Sequence, residues 1–414
     1  MTTQPTHASS FKWWICTLLL LASTLNYMDR QALSQTSARI SDYFEISNTQ
    51  LGQLESAFNI AFAVGVFGIG MIVDKANIRV IYPIIVVLWS LAGFASGYAS
   101  SFTFLLICRL ALGLFEAGNI PCGILTVKRV LKPEERALGN GMFQSGTALG
   151  AIITPLVVLL CLVVVERTAS DDPAFAWQLP FRVVGAIGLL WAAAWLLTVR
   201  THHVQAPPST TPNEPTDTYW AIFQNRRFWV ALLVVMSINA PWRSFGFWLP
   251  KMLQKEKEYS EVSTLWITPG FFLAADIGSL TVGVVTLWLA RKGYTLHRAR
   301  LLCFLGCTIL TTLSIMSALI PKGPLLIAVL YLMGFGALGL FPIYYALSQD
   351  ISSKHQGKVT GTLSCLNAGY LALLFPLQGM LIDNLQSFSL ALGVVGVFPV
   401  VGLLALAFFW KKPS

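Results

Sequence analysis

"THHVQAPPSTTPNEPTDTYW" (201–220) is the longest polar stretch in a chain otherwise built of apolar blocks. It is rich in Pro and Thr, carries no helical periodicity and reads as a flexible linker. The blocks around it are each about 20 residues long, the length a tilted helix needs to cross a bilayer. Six precede it, at 13–33, 51–73, 79–99, 102–127, 138–163 and 180–199, and six follow, at 227–250, 263–289, 299–320, 322–348, 357–382 and 386–410. The expected fold is an all-α membrane protein of twelve transmembrane helices in two six-helix bundles, 1–200 and 223–414, joined by a cytoplasmic linker at 201–222.

Composition agrees. Of the 414 residues 55% are hydrophobic and 11% charged, against about 25% charged in soluble proteins. The net charge of +9 does not imply nucleic acid, because the cations fall in short clusters between apolar blocks, as a topology signal does. With the N-terminus in the cytoplasm, Lys75, Arg79, Lys128, Arg129, Lys132, Arg136, Arg200, Arg226, Arg227, Arg291, Lys292, Arg298, Arg300, Lys354, Lys358, Lys411 and Lys412 all face inward, and both termini are cytoplasmic. Outward loops such as "KMLQKEKEYSE" mix cations with acids. The first block lacks a small-residue cleavage site and reads as an uncleaved helix. All seven cysteines lie in apolar blocks without CxxC spacing, so neither disulfides nor a metal is expected. The histidines lie in the tail and polar loops, which removes them as proton carriers within the membrane. No nucleophile, metal cluster or cofactor motif points to an enzyme.

Two halves of six spans are the plan of secondary transporters. The basic loops "DKANIR" after span 2 and "ARKGYTLHRAR" after span 8 hold equivalent places in the halves, consistent with an internal repeat. Six ionisable residues sit inside apolar blocks: Asp29 and Arg30 in span 1, Arg109 and Glu116 in span 4, Arg243 in span 7 and Asp276 in span 8. A charge at the centre of a membrane helix costs about 2.5–3.5 kcal/mol on insertion scales, and such residues mark substrate or ion routes by default. Arg109 and Glu116, spaced i, i+7, share a helix face. Asp29 and Arg30 point about 100° apart and meet different partners. The alternative for each is a buried salt bridge that fixes helix packing, and for Asp276 a bond to nearby backbone or hydroxyl groups. Asn26, Asn59, Asn119, Gln144, Ser145, Asn239, Ser364 and Asn367 are candidates to bond a polyhydroxylated ligand, or else interhelical bonds worth about 0.6 kcal/mol each. Gly139, Gly141, Gly146 and Gly150 are expected to allow close helix contact in span 5.

"GIGMIVDKANIR" (68–79) resembles the loop 2–3 signature of the major facilitator superfamily, with Gly70, Asp74, Lys75 and Arg79 matching and Asn77 where glycine is usual. The resemblance implies the major facilitator fold and an inner-gate role for these four residues. "LNYMDRQALS", "RLALGLFEAGNIPCG", "ERALGNGMFQSGTALGAIITP" and "FFLAADIGSL" resemble the anion:cation symporters of that superfamily, the group of hexuronate, galactonate and sialic-acid transporters, in order over nearly the whole chain. That resemblance implies proton-binding carboxylates at Asp29 and Glu116, a substrate-carboxylate arginine at Arg30, and an acid-pairing arginine at Arg109. It also implies sugar contacts at Gln144 and Asn367. Phe62 departs from it, standing where the group has a tyrosine.

The function expected is proton-coupled import of a small organic anion, a hexuronate- or hexonate-like sugar acid, by a monomer in a bacterial inner membrane. Substrate contacts are expected from Arg30, Arg109, Arg243, Gln144, Asn367, Asn59 and Asn239, with Asp276 unassigned. Protons, the anion and lipid are the partners, and no cofactor is needed. More than one proton per monoanion would let the membrane potential add about 2.3 kcal/mol per charge per 100 mV. A facilitator, an anion exchanger or a non-transporting sensor of the same fold are the alternatives.

Overall fold

Polar caps and proline–glycine breaks decide where the apolar blocks become helices. The computed structural model describes residues 8–73, 76–132, 135–168, 172, 174–204, 221–351 and 356–410. Helix makes up 88% of it, with no strand among the described residues, so the chain is all-α. The helices are α1 (Ala8–Phe44), α2 (Asn48–Val73), α3 (Ile78–Ser96), α4 (Phe102–Glu116), α5 (Asn119–Val130), α6 (Arg136–Thr168) and α7 (Phe175–Thr198). After the linker come α8 (Ala221–Gln224), α9 (Arg226–Lys255), α10 (Glu261–Arg291), α11 (Leu296–Thr312), α12 (Pro324–Gly339), α13 (Phe341–Gln349), α14 (Gln356–Leu385), α15 (Phe388–Gly396) and α16 (Pro399–Phe409).

The starts are chemical. Ser101, Asn225, Ser260, Thr295 and Ser387 each accept a hydrogen bond from a backbone N–H of the first turn of α4, α9, α10, α11 and α15, satisfying donors that a helix start leaves open. Three expected spans are broken inside. Span 4 divides into α4 and α5 around Gly118, and the second helices of spans 10 and 12 open with a proline in the first turn, where the missing N–H is harmless.

Span 1, expected to end at 33, continues as α1 to Phe44. Its extra turns are polar by composition yet buried: Ser34, Gln35, Thr36 and Ser37 are each at most 2% exposed. Hydropathy alone cannot register burial against other protein. Ten helical segments among the described residues are long and apolar enough to cross a membrane; α1 and α2 are not among them. Large apolar side chains such as Leu197 and Leu319 (83% exposed), Leu280 and Leu373 stand out from the helices, as lipid contact requires and water would penalise.

Contacts divide the chain into two units, Met1–Leu33 with Ala57–Pro212, and Ser34–Ser56 with Asn213–Ser414. In the first, Tyr82 meets Trp191 and Trp195 edge-on at 5.3 and 5.2 Å, and the Trp191 indole N–H donates to the Leu18 carbonyl at 2.8 Å. This joins α1, α3 and α7. Gly146 and Gly150 let α6 close on α1, where a Cβ would meet the carbonyl oxygens of Leu20 and Thr24. Gly139 is similarly crowded by Leu131, whereas Gly141 faces open space and does not serve packing. In the second unit, Ser34 Oγ donates to the carbonyls of Gly246 and Phe247 at 2.8 and 2.9 Å. The Lys251 ammonium donates to Ser41 Oγ and Asn48 Oδ1, each at 2.7 Å. Asp383 accepts from the backbone N–H groups and side chains of Asn48 and Thr49, capping α2 from α14.

Candidate functional site

The site in the first unit is built on close helix approach. Gly113 of α4 lies where a Cβ would collide with the Phe58 carbonyl oxygen of α2, and Gly65 of α2 where one would collide with the Leu114 carbonyl of α4. Small residues let membrane helices come this near. Arg109, Gly113 and Glu116 share one face of α4 by spacing, and α2 docks at Gly113, between the two charges. Arg30 enters from α1. Its Nε donates to Glu116 Oε2 at 2.7 Å. Its guanidinium carbon lies 4.6 Å from the Phe58 ring centroid and 4.7 Å from that of Phe62. Arg109 shares the first of these rings, at 4.9 Å. Cation–π contacts of this kind are worth about 0.5–1 kcal/mol when exposed and about 2 or more when desolvated.

Asp29, Arg109 and Glu116 are buried, at 1%, 0% and 1% exposure. Asp29 lies within electrostatic reach of Glu116 and Arg109. Its Oδ1 makes no hydrogen bond and rests against α3 at Gly93, where a Cβ would stand 2.6 Å from it. Four ionisable side chains share one low-dielectric cluster, two acids and two arginines, so that each can offset another; an isolated buried ion would cost several kcal/mol. Such a cluster can take up a proton or an anion, and taking both leaves its net charge unchanged.

The second unit carries its own pair. Arg243 Nη2 donates to Glu55 Oε1 at 3.2 Å. Sequence inspection offered Arg243 no partner and did not count Glu55, which is 3% exposed, among the intramembrane charges. Glu55, Phe58 and Phe62 are spaced i, i+3 and i+7 in "ESAFNIAF", and that stripe was the available signal. Asn239 Nδ2 donates to Val235 O of its own helix at 3.0 Å. Asn367 carries a buried Oδ1 with no hydrogen-bond partner. Asp276, half-buried on α10, makes none of the backbone or hydroxyl bonds considered for it; two residues on, Gly278 is where α10 meets the Phe335 carbonyl. A cavity of about 530 Å³ also opens in this unit, lined by Ser41, Asp42, Asn48, Lys251, Lys255 and Phe388. It includes none of the expected site residues.

The other expected residues are dispersed. Asn59 is buried on α2 and Gln144 is exposed on α6. Asn119 accepts the Tyr82 hydroxyl at 2.8 Å and belongs to the aromatic core. Of the inner-gate residues, Gly70 lies in the last turns of α2, while Asp74 and Lys75 lie outside the described residues. Arg79 Nε donates to the Val199 carbonyl at the end of α7 at 2.9 Å. Asn77, the departure from glycine, caps α3 by accepting from the Arg79 N–H at 3.1 Å.

Comparison with known proteins gives these observations a setting. The chain is 25% identical over 419 residues to a probable L-galactonate transporter of Escherichia coli (strain K12), covering 96% of this chain and 88% of that protein. It is 28% identical over 411 residues to a hexuronate transporter of Bacillus subtilis (strain 168), covering 94% and 93%. Among solved structures, a bacterial homolog of the human lysosomal transporter Spinster, inward-facing and unoccupied, superposes with a TM-score of 0.80 at 18% identity, covering 98% of this chain and all of that one. A D-xylose–proton symporter superposes at 0.72 and 16% identity, covering 96% and 97%; at such identities the likeness is one of fold. The Major Facilitator Superfamily model matches residues 19–372, and the chain, a multi-pass membrane protein, belongs to that superfamily.

Proposed function

We propose that the protein is a proton-coupled symporter that imports a small organic anion, a sugar acid of the hexuronate or hexonate class, by alternating access. Membership of a transporter superfamily speaks for transport and against an enzyme, and relatives named for L-galactonate and hexuronate speak for the substrate class. The twelve-span plan, the two six-helix bundles with cytoplasmic termini, the bacterial inner membrane and the monomeric state belong to the same proposal.

The observation that carries it is the bond from Arg30 to Glu116. The one arginine of the cluster whose side chain is partly accessible, at 16% exposure, is held by a buried carboxylate. A proton arriving on Glu116 converts that carboxylate to a neutral acid and releases the guanidinium. The freed N–H groups then grip a substrate carboxylate through two parallel bonds, a geometry that lysine does not copy. One proton with one monoanion leaves the cluster's charge as it was, whatever the state of Asp29. With Asp29 ionised, proton alone or anion alone leaves an uncompensated charge in a low dielectric, which is costly. Empty and fully loaded carriers are therefore the forms free to change conformation, and this is coupling.

The test is uptake of labelled glucuronate and D-galactonate into proteoliposomes, with and without an inward proton gradient, for wild type and Glu116→Gln. Wild type accumulates substrate with the gradient; the variant loses accumulation and keeps exchange. Uptake indifferent to the gradient in both proteins refutes proton coupling and leaves a facilitator or exchanger.

A further inference from the structure

Arg30 has two kinds of partner, and only one of them titrates. Glu116 releases the guanidinium on protonation. Phe58 and Phe62 cannot. They are spaced i, i+4 on α2, with ring centroids 5.9 Å apart and planes 24° from parallel, and the Arg30 guanidinium carbon is almost equidistant from the two, at 4.6 and 4.7 Å. The Phe58 ring is fully buried and its backbone is seated against Gly113, so the platform has little freedom to drift. Arginine keeps its charge at every working pH, and the quadrupole of an aromatic face attracts it at every pH.

We infer that Phe58 and Phe62 form a π seat that holds the Arg30 guanidinium in place when Glu116 is protonated, making both phenylalanines positioning residues for anion binding. This rests on the reading of Arg30 as the anion-binding group. Without the seat, a protonated Glu116 would leave a long flexible side chain to search for its ligand, and ordering it would be charged against binding. With it, the carboxylate meets a guanidinium already placed. Phe62 therefore keeps the ring face that the tyrosine expected at this position would also present, and gives up only the hydroxyl. Phe58 also faces Arg109 at 4.9 Å, so one ring offsets part of the repulsion between the two cations.

The test separates ring electrostatics from ring size. At position 62, phenylalanine is replaced by its 4-fluoro, 3,5-difluoro and 3,4,5-trifluoro analogues, which drain the π face while keeping the shape, in wild-type and Glu116→Gln backgrounds. The first readout needs no substrate: the rate at which phenylglyoxal labels Arg30, followed by peptide mass spectrometry. In Glu116→Gln the rate is expected to climb stepwise with fluorination, about tenfold by the trifluoro analogue. Phe62→Leu should match the trifluoro protein, and Phe62→Trp should restore slow labelling. The second readout is glucuronate and D-galactonate transport, with KM rising in the same order at unchanged kcat. A labelling rate flat across the fluorinated series overturns the seat, because the rings would then only fill space. Labelling that follows fluorination in a protein that transports neither sugar acid leaves the seat standing and removes the substrate reading instead.

Discussion

Gly93→Ala is expected to act through one atom. The new Cβ would stand 2.6 Å from Asp29 Oδ1, about 0.8 Å inside the ordinary contact distance of 3.4 Å. The obstacle is a buried carboxylate in a packed bundle, so helix α3 or the side chain must shift. Overpacking of this kind costs about 1–3 kcal/mol, while alanine in a helix interior gains about 1 kcal/mol over glycine. Gly141→Ala is the matched control, since a Cβ there meets nothing within 4 Å. The propensity gain is common to both variants, and their difference of about 1–3 kcal/mol is the collision alone. Thermal unfolding of the purified protein reads it, at about 2–4 °C per kcal/mol for units of this size. Gly141→Ala should melt at or slightly above wild type and Gly93→Ala several degrees below the control. On an Asp29→Ala background the gap should close, because the obstructing oxygen is gone. A gap of the same size with and without the Asp29 carboxylate would refute the placement of Asp29 against α3.

Further outcomes follow from the ion pairs. Glu55→Ala should destabilise by about 1.5–3 kcal/mol, the worth of a hydrogen bond to a charged group, and Glu55→Ala with Arg243→Leu should recover most of that; a double variant no more stable than the single one would show that the pair is not what matters. Lys12 donates to Glu135 near the start of α6, and this bond, first among several causes, lowers the Glu135 pKa below its ordinary 4.5. A lowered folded-state pKa contributes stability above the unfolded value and loses it as pH falls through the folded one. The melting difference between wild type and Lys12→Met should therefore be present at neutral pH and vanish on acidification below about pH 4. Persistence of that difference in acid would mean that Lys12 acts by packing.

Much of this protein was legible in its residues taken one at a time. Blocks of about 20 apolar residues define membrane helices because lipid leaves backbone groups no other partners. Asp29, Arg30, Arg109 and Glu116 stood out because charge inside such a block is expensive, and "DKANIR" with "LNYMDRQALS" carried the family. Other features depended on which faces meet. That Arg30 reaches Glu116 and that Phe58 and Phe62 underlie a guanidinium follow from backbones brought together at Gly113 and Gly65, residues with no side chain to announce the approach; that Glu55 takes Arg243 is likewise a matter of which helix faces meet. The polar end of α1 fell outside the first expected span because hydropathy scores each side chain against water, whereas Ser34 to Ser37 are buried against other protein. Composition reports the solvent a residue prefers; its partner is chosen only when helices pack.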